Sequence, residues 1–224
     1  MTNKQLIQFI TEQYKIHADE EYAVKMGAYM KGHFDFYGAR GDAKREILKL
    51  TKLAAKDQSI DDLLAIAIEC YSLPQREYQN ISADLLKWKK KQLKTEHLEG
   101  LEQLLVTKSW WDTVDNIASN LVGEILSKDK SLQYKWAEKW IASDNMWLRR
   151  TAIIHQLRYK ASVDKELLFV LIESQKESKE FFIRKACGWA LRQYSRFNPV
   201  AVINFVDLHP DLSGLTKREA LRLL

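Results

Sequence analysis

Apolar residues recur along most of the chain at the three-to-four spacing of an α-helix. Leu48, Leu50, Leu53 and Ala54 form one such group. Leu63, Leu64, Ala67 and Ile68 form a second, and Leu167, Leu168, Leu171 and Ile172 a third. This period puts an apolar stripe on one face of each helix. No segment alternates apolar and polar positions between turn signals, as a half-buried strand would. Breaks are expected near Gly38–Gly41, Ser72–Pro74, Gly100, Lys128–Lys130, Ala142–Asn145, Ala161–Asp164, Asn198–Pro199 and His209–Gly214. The pattern predicts an all-α chain of roughly a dozen helices with short turns.

A longer period lies over the helical one. "WDTVDNI" (Trp111–Ile117), "MWLRRTA" (Met146–Ala152) and "FFIRKAC" (Phe181–Cys187) follow one another at an offset of 35 residues. Each opens on a bulky residue. Asp115, Arg150 and Lys185 occupy one polar position, and Ile117, Ala152 and Cys187 the small or apolar position two residues on. The same step backwards reaches Asn80 and Arg45. A helix pair repeated about every 35 to 45 residues is the signature of a HEAT-like α-solenoid. The expectation is a single domain over residues 1–224, with Arg45, Asn80, Asp115, Arg150 and Lys185 in a row along a concave groove. The plainer alternative is a helical bundle in which the spacing is chance.

Composition supports the helical reading. The chain is 46 % hydrophobic with only three prolines and eight glycines among 224 residues, too few turn-formers for a strand-rich fold. The net charge of +5 is uneven. Residues 145–224 carry 14 Lys+Arg against 8 Asp+Glu, and the rest of the chain is close to neutral. A basic C-terminal part suits a polyanionic partner such as nucleic acid. No apolar run approaches the ~20 residues of a membrane span, and the first residues lack a signal-peptide pattern. Cys70 and Cys187 lie far apart in apolar helices, as reduced core thiols of a cytoplasmic protein would.

"SWWDTVDNI" (Ser109–Ile117) holds the most pointed chemistry. Ser109 and Asp112 are spaced as a capping pair, which predicts a helix starting at Trp110. Trp110, Val114, Ile117 and Leu121 form its core stripe. Trp111 and Asp115 then stand one turn apart at the edge of that stripe. An indole wall beside a carboxylate suits the stabilisation of a cation. Asp115 could instead cap a neighbouring helix or pair with Arg150. Trp189 follows Lys185 by one turn, and Gly188 beside it would admit a ligand or a backbone. Trp136 and Trp140 read as packing between helices. "KWKKKQLK" (Lys87–Lys94) is a basic run holding one tryptophan; it reads as a solvated helix face, or as a grip on phosphates. The five histidines are scattered without metal-ligand spacing, and there is no phosphate-binding glycine loop or nucleophile elbow.

Four segments together resemble the AlkD-like DNA alkylation repair proteins, which are HEAT-like-repeat DNA glycosylases. They are "MGAYMKGHF" (Met26–Phe34), "KSWWDTVD" (Lys108–Asp115), "WLRRTAIIHQLRYK" (Trp147–Lys160) and "EFFIRKACGWALRQYS" (Glu180–Ser195), in the family's order. The resemblance implies excision of cationic N3- and N7-alkylated purines from double-stranded DNA, by a monomer without metal or cofactor, in the cytoplasm on nucleoid DNA. It implies Asp115 as the essential acid, with Trp111 and Trp189 flanking the lesion's sugar. It implies Arg150 on the DNA backbone and Tyr29 at the cleft edge, with Arg45, Lys185 and Arg192 as further DNA contacts. "FDFYGARGDAKR" (Phe34–Arg45) departs from the family pattern at Asp35, Tyr37, Ala39 and Asp42, and an acid at Asp35 or Asp42 is expected to repel phosphate. A reading from another class is a non-catalytic HEAT-repeat homologue that binds unusual nucleic acid or a protein in the same groove.

Overall fold

The computed structural model describes residues 1–224, which form helices joined by turns. The sole β pairing is an isolated bridge between Asp35 and Gln75. The chain divides into two compact units, Met1–Lys108 and Ser109–Leu224. No helix is long and apolar enough to cross a membrane.

The first unit contains α1 (Asn3–Ile16), α2 (Glu20–Tyr29), α3 (Gly41–Ala54), α4 (Ile60–Ser72), α5 (Arg76–Trp88) and α6 (Leu98–Val106). Short polar side chains start several of them by accepting orphan backbone N–H groups. Thr2 with Gln5, and Ser59 with Asp62, close full capping boxes, and Asp19 caps α2. α4 packs on α1, α5 and α6, and α3 on α1 and α5. Leu6, Ile10, Leu63, Ile66, Leu85 and Leu86 are at most 1 % exposed and form its centre.

The sequence pattern errs in two places here. The buried face of α3 is Ile47 and Thr51, and Leu53 is 67 % exposed. Gly100 does not break the chain; it lies inside α6. A Cβ there would come within 2.7 Å of the Leu64 side chain, so this glycine allows α6 to approach α4. The break falls earlier, in the short 3₁₀ turns Lys90–Gln92 and Thr95–His97.

The turn Phe34–Arg45 is organised from beneath by α5. Buried Glu77 accepts backbone N–H bonds from Tyr37 (3.2 Å) and Gly38 (3.0 Å). Buried Arg76 lies over the Phe34 ring at 3.9 Å and donates to the Lys108 carbonyl at 2.7 Å. The Tyr37 hydroxyl bonds that of Tyr78 at 2.9 Å, and the Tyr37 ring stacks on Tyr14. Gly38 sits at φ +85°, and a Cβ would meet the Asp19 carbonyl at 2.0 Å, so only glycine fits. Arg40 grips Asp19 through two donors, at 2.7 and 2.9 Å. Tyr37 and Arg40 thus build the turn itself, while Asp35 and Asp42 remain exposed.

The second unit contains α7 (Trp111–Ile117), α8 (Gly123–Leu126), α9 (Lys130–Ile141), α10 (Met146–Ile154), α11 (Lys165–Ser174), α12 (Phe181–Ser195), α13 (Pro199–Leu208) and α14 (Gly214–Ala220). A π-helical stretch, Ala118–Val122, joins α7 to α8. α10 packs on α9, α11 and α12, and α12 also carries α13 and α14. Trp136 and Trp140 stand one turn apart on α9, both buried, with ring centroids 5.0 Å apart. Cys187 lies in the core at 3 % exposure, and burial pushes its thiol up to about 12, so it is an inert packing residue.

The 35-residue period is visible in the local geometry of this unit. "SDNMWLRR" (Ser143–Arg150) and "SKEFFIRK" (Ser178–Lys185) build the same helix entry. Ser143 and Ser178 hydroxyls accept from the backbone N–H two residues on, at 3.1 and 3.3 Å. Arg149 and Arg184 reach back to the Ser143 and Ser178 carbonyls, at 2.7 and 2.8 Å. Two helices of different sequence therefore start on one design, as a repeat requires.

Candidate functional site

Asp115 lies in the last turn of α7, just before an irregularity in the helix. α7 begins at Trp111, one residue later than the capping pattern predicts. Its N-cap is Trp110, which gives no side-chain cap. Just beyond Asp115, Ser119 donates its hydroxyl to the Asp115 carbonyl at 2.7 Å, and the Asn120 amide donates to the Asn116 carbonyl at 3.1 Å. Side chains that occupy backbone carbonyls in this way loosen the regular ladder, and the helix widens into its π stretch there.

The Asp115 carboxylate and the Arg150 guanidinium form a two-point ion pair. Nε donates to Oδ1 at 2.7 Å and Nη2 to Oδ2 at 2.8 Å. The remaining Nη1 donates to the Phe182 carbonyl at 2.5 Å. Asp115 belongs to α7, Arg150 to α10 and Phe182 to α12, so one guanidinium ties three helices together. The Arg150 side chain is 4 % exposed and that of Asp115 17 %. The cation is thus sealed while the anion keeps an opening. Burial raises the Asp115 carboxyl above the ordinary aspartate value, outweighing the opposing pull of Arg150.

Aromatic rings stand beside the pair. Trp110, Trp147 and Phe182 are mutual neighbours, with centroids 5.0 to 5.7 Å apart. The Arg150 guanidinium lies 5.8 Å from the Phe182 ring. Trp111 opens α7 one turn before Asp115 and is partly buried, and Trp189 on α12 packs in part against the unit's core.

A second charged cluster lies between α12 and α14. Lys185 and Arg192 both donate to Glu219, at 2.6 and 2.5 Å. The two cations hold the Glu219 carboxyl below its ordinary value, Lys185 contributing most. A Cβ at Gly188 would fall 2.7 Å from the Thr216 carbonyl and 2.5 Å from Glu219 Cβ. The close approach that this glycine permits is therefore made by α14, not by a ligand.

Measured against the sequence expectations, the structure joins Asp115 to Arg150 and joins Lys185 and Arg192 through Glu219. The Arg150 guanidinium faces Asp115 and not solvent, so its three bonds run within the protein. In the first unit, Tyr29 ends α2 and is 70 % exposed, and Arg45 is exposed on α3. Three contributors were missed. Glu219 follows Lys185 by 34 residues and so falls one short of the repeat. Trp147 and Phe182 are 35 apart, a signal that the polar row overshadowed. No three His, Cys, Asp or Glu side chains converge to hold a metal ion.

The fold and this site define a helical-repeat protein built around an inter-repeat Asp–Arg pair with an aromatic wall. The chain belongs to the DNA alkylation repair enzyme family, whose model matches residues 10–224. It is similar to a solved structure described as a predicted DNA alkylation repair enzyme from Enterococcus faecalis. The two share 29 % identity over 93 % of this chain and 97 % of the other, with a TM-score of 0.86. No curated protein matches the chain.

Proposed function

We propose that this DNA repair protein is a glycosylase of base excision repair. It hydrolyses the N-glycosidic bond of purines alkylated at N3 or N7 in duplex DNA. The observation that carries this reading is the Asp115 carboxylate, oriented at two points by a sealed arginine and still partly open.

A purine alkylated at N3 or N7 is positively charged and leaves with the electrons of its bond to C1′ without further protonation. The protein then has to stabilise the electron-poor sugar and deliver water. Asp115 supplies the negative charge in a partly water-excluded place, where it acts more strongly than in solvent. Each carboxylate oxygen gives one lone pair to Arg150 and keeps another. The free pair can orient the attacking water and take its proton as oxygen bonds to C1′. Trp111 and Trp189 offer electron-rich faces to the cationic sugar. Arg150 acts as a positioning residue for Asp115. Phosphate contacts fall to Lys185, Arg192, Arg45 and Tyr29, of which Lys185 and Arg192 would share their charge with Glu219.

The test is release of 3-methyladenine or 7-methylguanine from methylated duplex by the wild type, compared with Asp115→Asn. One observation favours the second reading. A fully paired Asp–Arg bridge between helices is also what a purely structural role would look like. Tight binding of an abasic duplex with no base release by the wild type would select that non-catalytic reading.

A further inference from the structure

The basic run "KWKKKQLK" is not absorbed by the Asp115 chemistry, and it lies wholly in the first unit. It straddles the C-terminus of α5 and the 3₁₀ turn that follows. Lys89 turns back to the end of α3, where its ammonium donates to the Lys56 carbonyl at 2.8 Å and the Gln58 carbonyl at 2.5 Å. That contact brings two lysine-bearing helix ends together. Lys56, just past the end of α3, then joins Lys87 in the last turn of α5 and Lys91 in the 3₁₀ turn; all three are exposed and none makes an ion pair. Trp88, the neighbour of Lys87 at the end of α5, is 40 % exposed, with the Lys89 ammonium 5.0 Å from its ring centroid.

Lysines at helix C-termini complement the helix dipole, and Lys89 is held on the turn carbonyls of Lys56 and Gln58 just past α3. That accounts for one lysine and leaves three unpaired cations beside an indole that is not buried. The acids nearby do not cancel them: Glu96 is engaged with Lys94 at 3.6 Å, Asp84 is partly buried on α5, and Asp57 is a single charge. Unpaired cations around an open aromatic face match the two needs of a single nucleic-acid strand, phosphate neutralisation and a surface on which an unstacked base can lie. A duplex keeps its bases stacked and cannot use the indole.

We propose that this lysine–tryptophan patch on the first unit binds single-stranded nucleic acid, independently of the Asp115 site. Affinity of the full chain for a labelled oligothymidylate is measured by anisotropy between about 50 and 200 mM salt. The double variant K87E/K91E is compared with K135E/K179E, which reverses two exposed lysines of the second unit. The patch variant should flatten the salt slope by about 1.4, two contacts at ~0.7 each, and the control should not. W88A should weaken single-strand binding roughly 5- to 150-fold, and duplex binding far less. Unchanged thermal melting of each variant shows that the fold is intact. Equal losses in the two double variants, or equal effects of W88A on single strand and duplex, would overturn the proposal. Tighter binding of anionic lipid vesicles than of the oligonucleotide would also overturn it.

Discussion

At the scale of single residues, the proposed chemistry depends on which partner of the Asp115–Arg150 pair faces outward. The sequence offered Asp115 three roles, a catalytic carboxylate, a cap on a neighbouring helix or a partner for Arg150, and the structure makes the pairing without closing the carboxylate off. Arg150→Ala leaves a buried carboxylate without its counter-charge. It should cost about 3–5 kcal/mol, read as a loss of unfolding free energy in denaturant titration. Arg150→Lys restores the charge but not the two-point geometry. It should recover most of the stability while activity stays low. Equal recovery of both would show that Arg150 serves only the charge balance. The pH response follows from burial. The Asp115 carboxyl is raised in the folded chain, so it takes up a proton before its unfolded counterpart as pH falls. That proton uptake favours the folded state on the acid side and removes the ionised carboxylate. Base release, corrected for spontaneous depurination, should therefore fall on the acid side with a midpoint above the ordinary aspartate value of 3.8. A midpoint at or below that value would contradict the burial argument.

At the scale of helices, the second unit depends on close approaches that side chains would block. Gly188→Ala inserts a methyl against the Thr216 carbonyl and Glu219 Cβ. It should lower stability by about 1–3 kcal/mol. It should also loosen α14, seen as faster amide exchange over Gly214–Ala220; unaltered exchange there would contradict the packing role assigned to this glycine. The same scale shows what was legible in the sequence. Helical periodicity predicted an all-α chain, though not its 3₁₀ and π stretches, and Leu167, Leu168, Leu171 and Ile172 are all buried as the pattern requires. Gly100 misled because sequence cannot distinguish a glycine that ends a helix from one that admits a neighbour's Leu64. Leu53 misled because the stripe of α3 is set by what α1 and α5 cover. The start of α7 slipped by one residue because the capping pattern carries no information on tertiary contacts. The polar row Asp115, Arg150, Lys185 was legible from spacing alone. The pairing of Asp115 with Arg150 was among the readings that spacing offered; that of Lys185 with Glu219 was not, because Glu219 sits at a separation of 34, off the 35-residue register.

At the scale of the whole molecule, membership of the DNA alkylation repair enzyme family and the Asp–Arg pair of the second unit converge on repair of alkylated DNA. The first unit contributes a turn whose unusual residues have their own structural duties. Arg40 serves Asp19, and Tyr37 serves Tyr14 and Tyr78. Asp35 and Asp42 stay exposed, and the repulsion of phosphate expected from them is a property of binding, open to measurement at low salt. The central claim is chemical: Asp115 drives base loss from DNA that carries a cationic purine. The most direct measurement is chromatographic detection of free 3-methyladenine or 7-methylguanine released from methylated duplex at low salt. The account predicts release by the wild type and loss of at least about a hundredfold in rate with Asp115→Asn, the scale of removing one electrostatic stabiliser. Equal release by the two proteins, or none by the wild type while it binds the duplex, would contradict it.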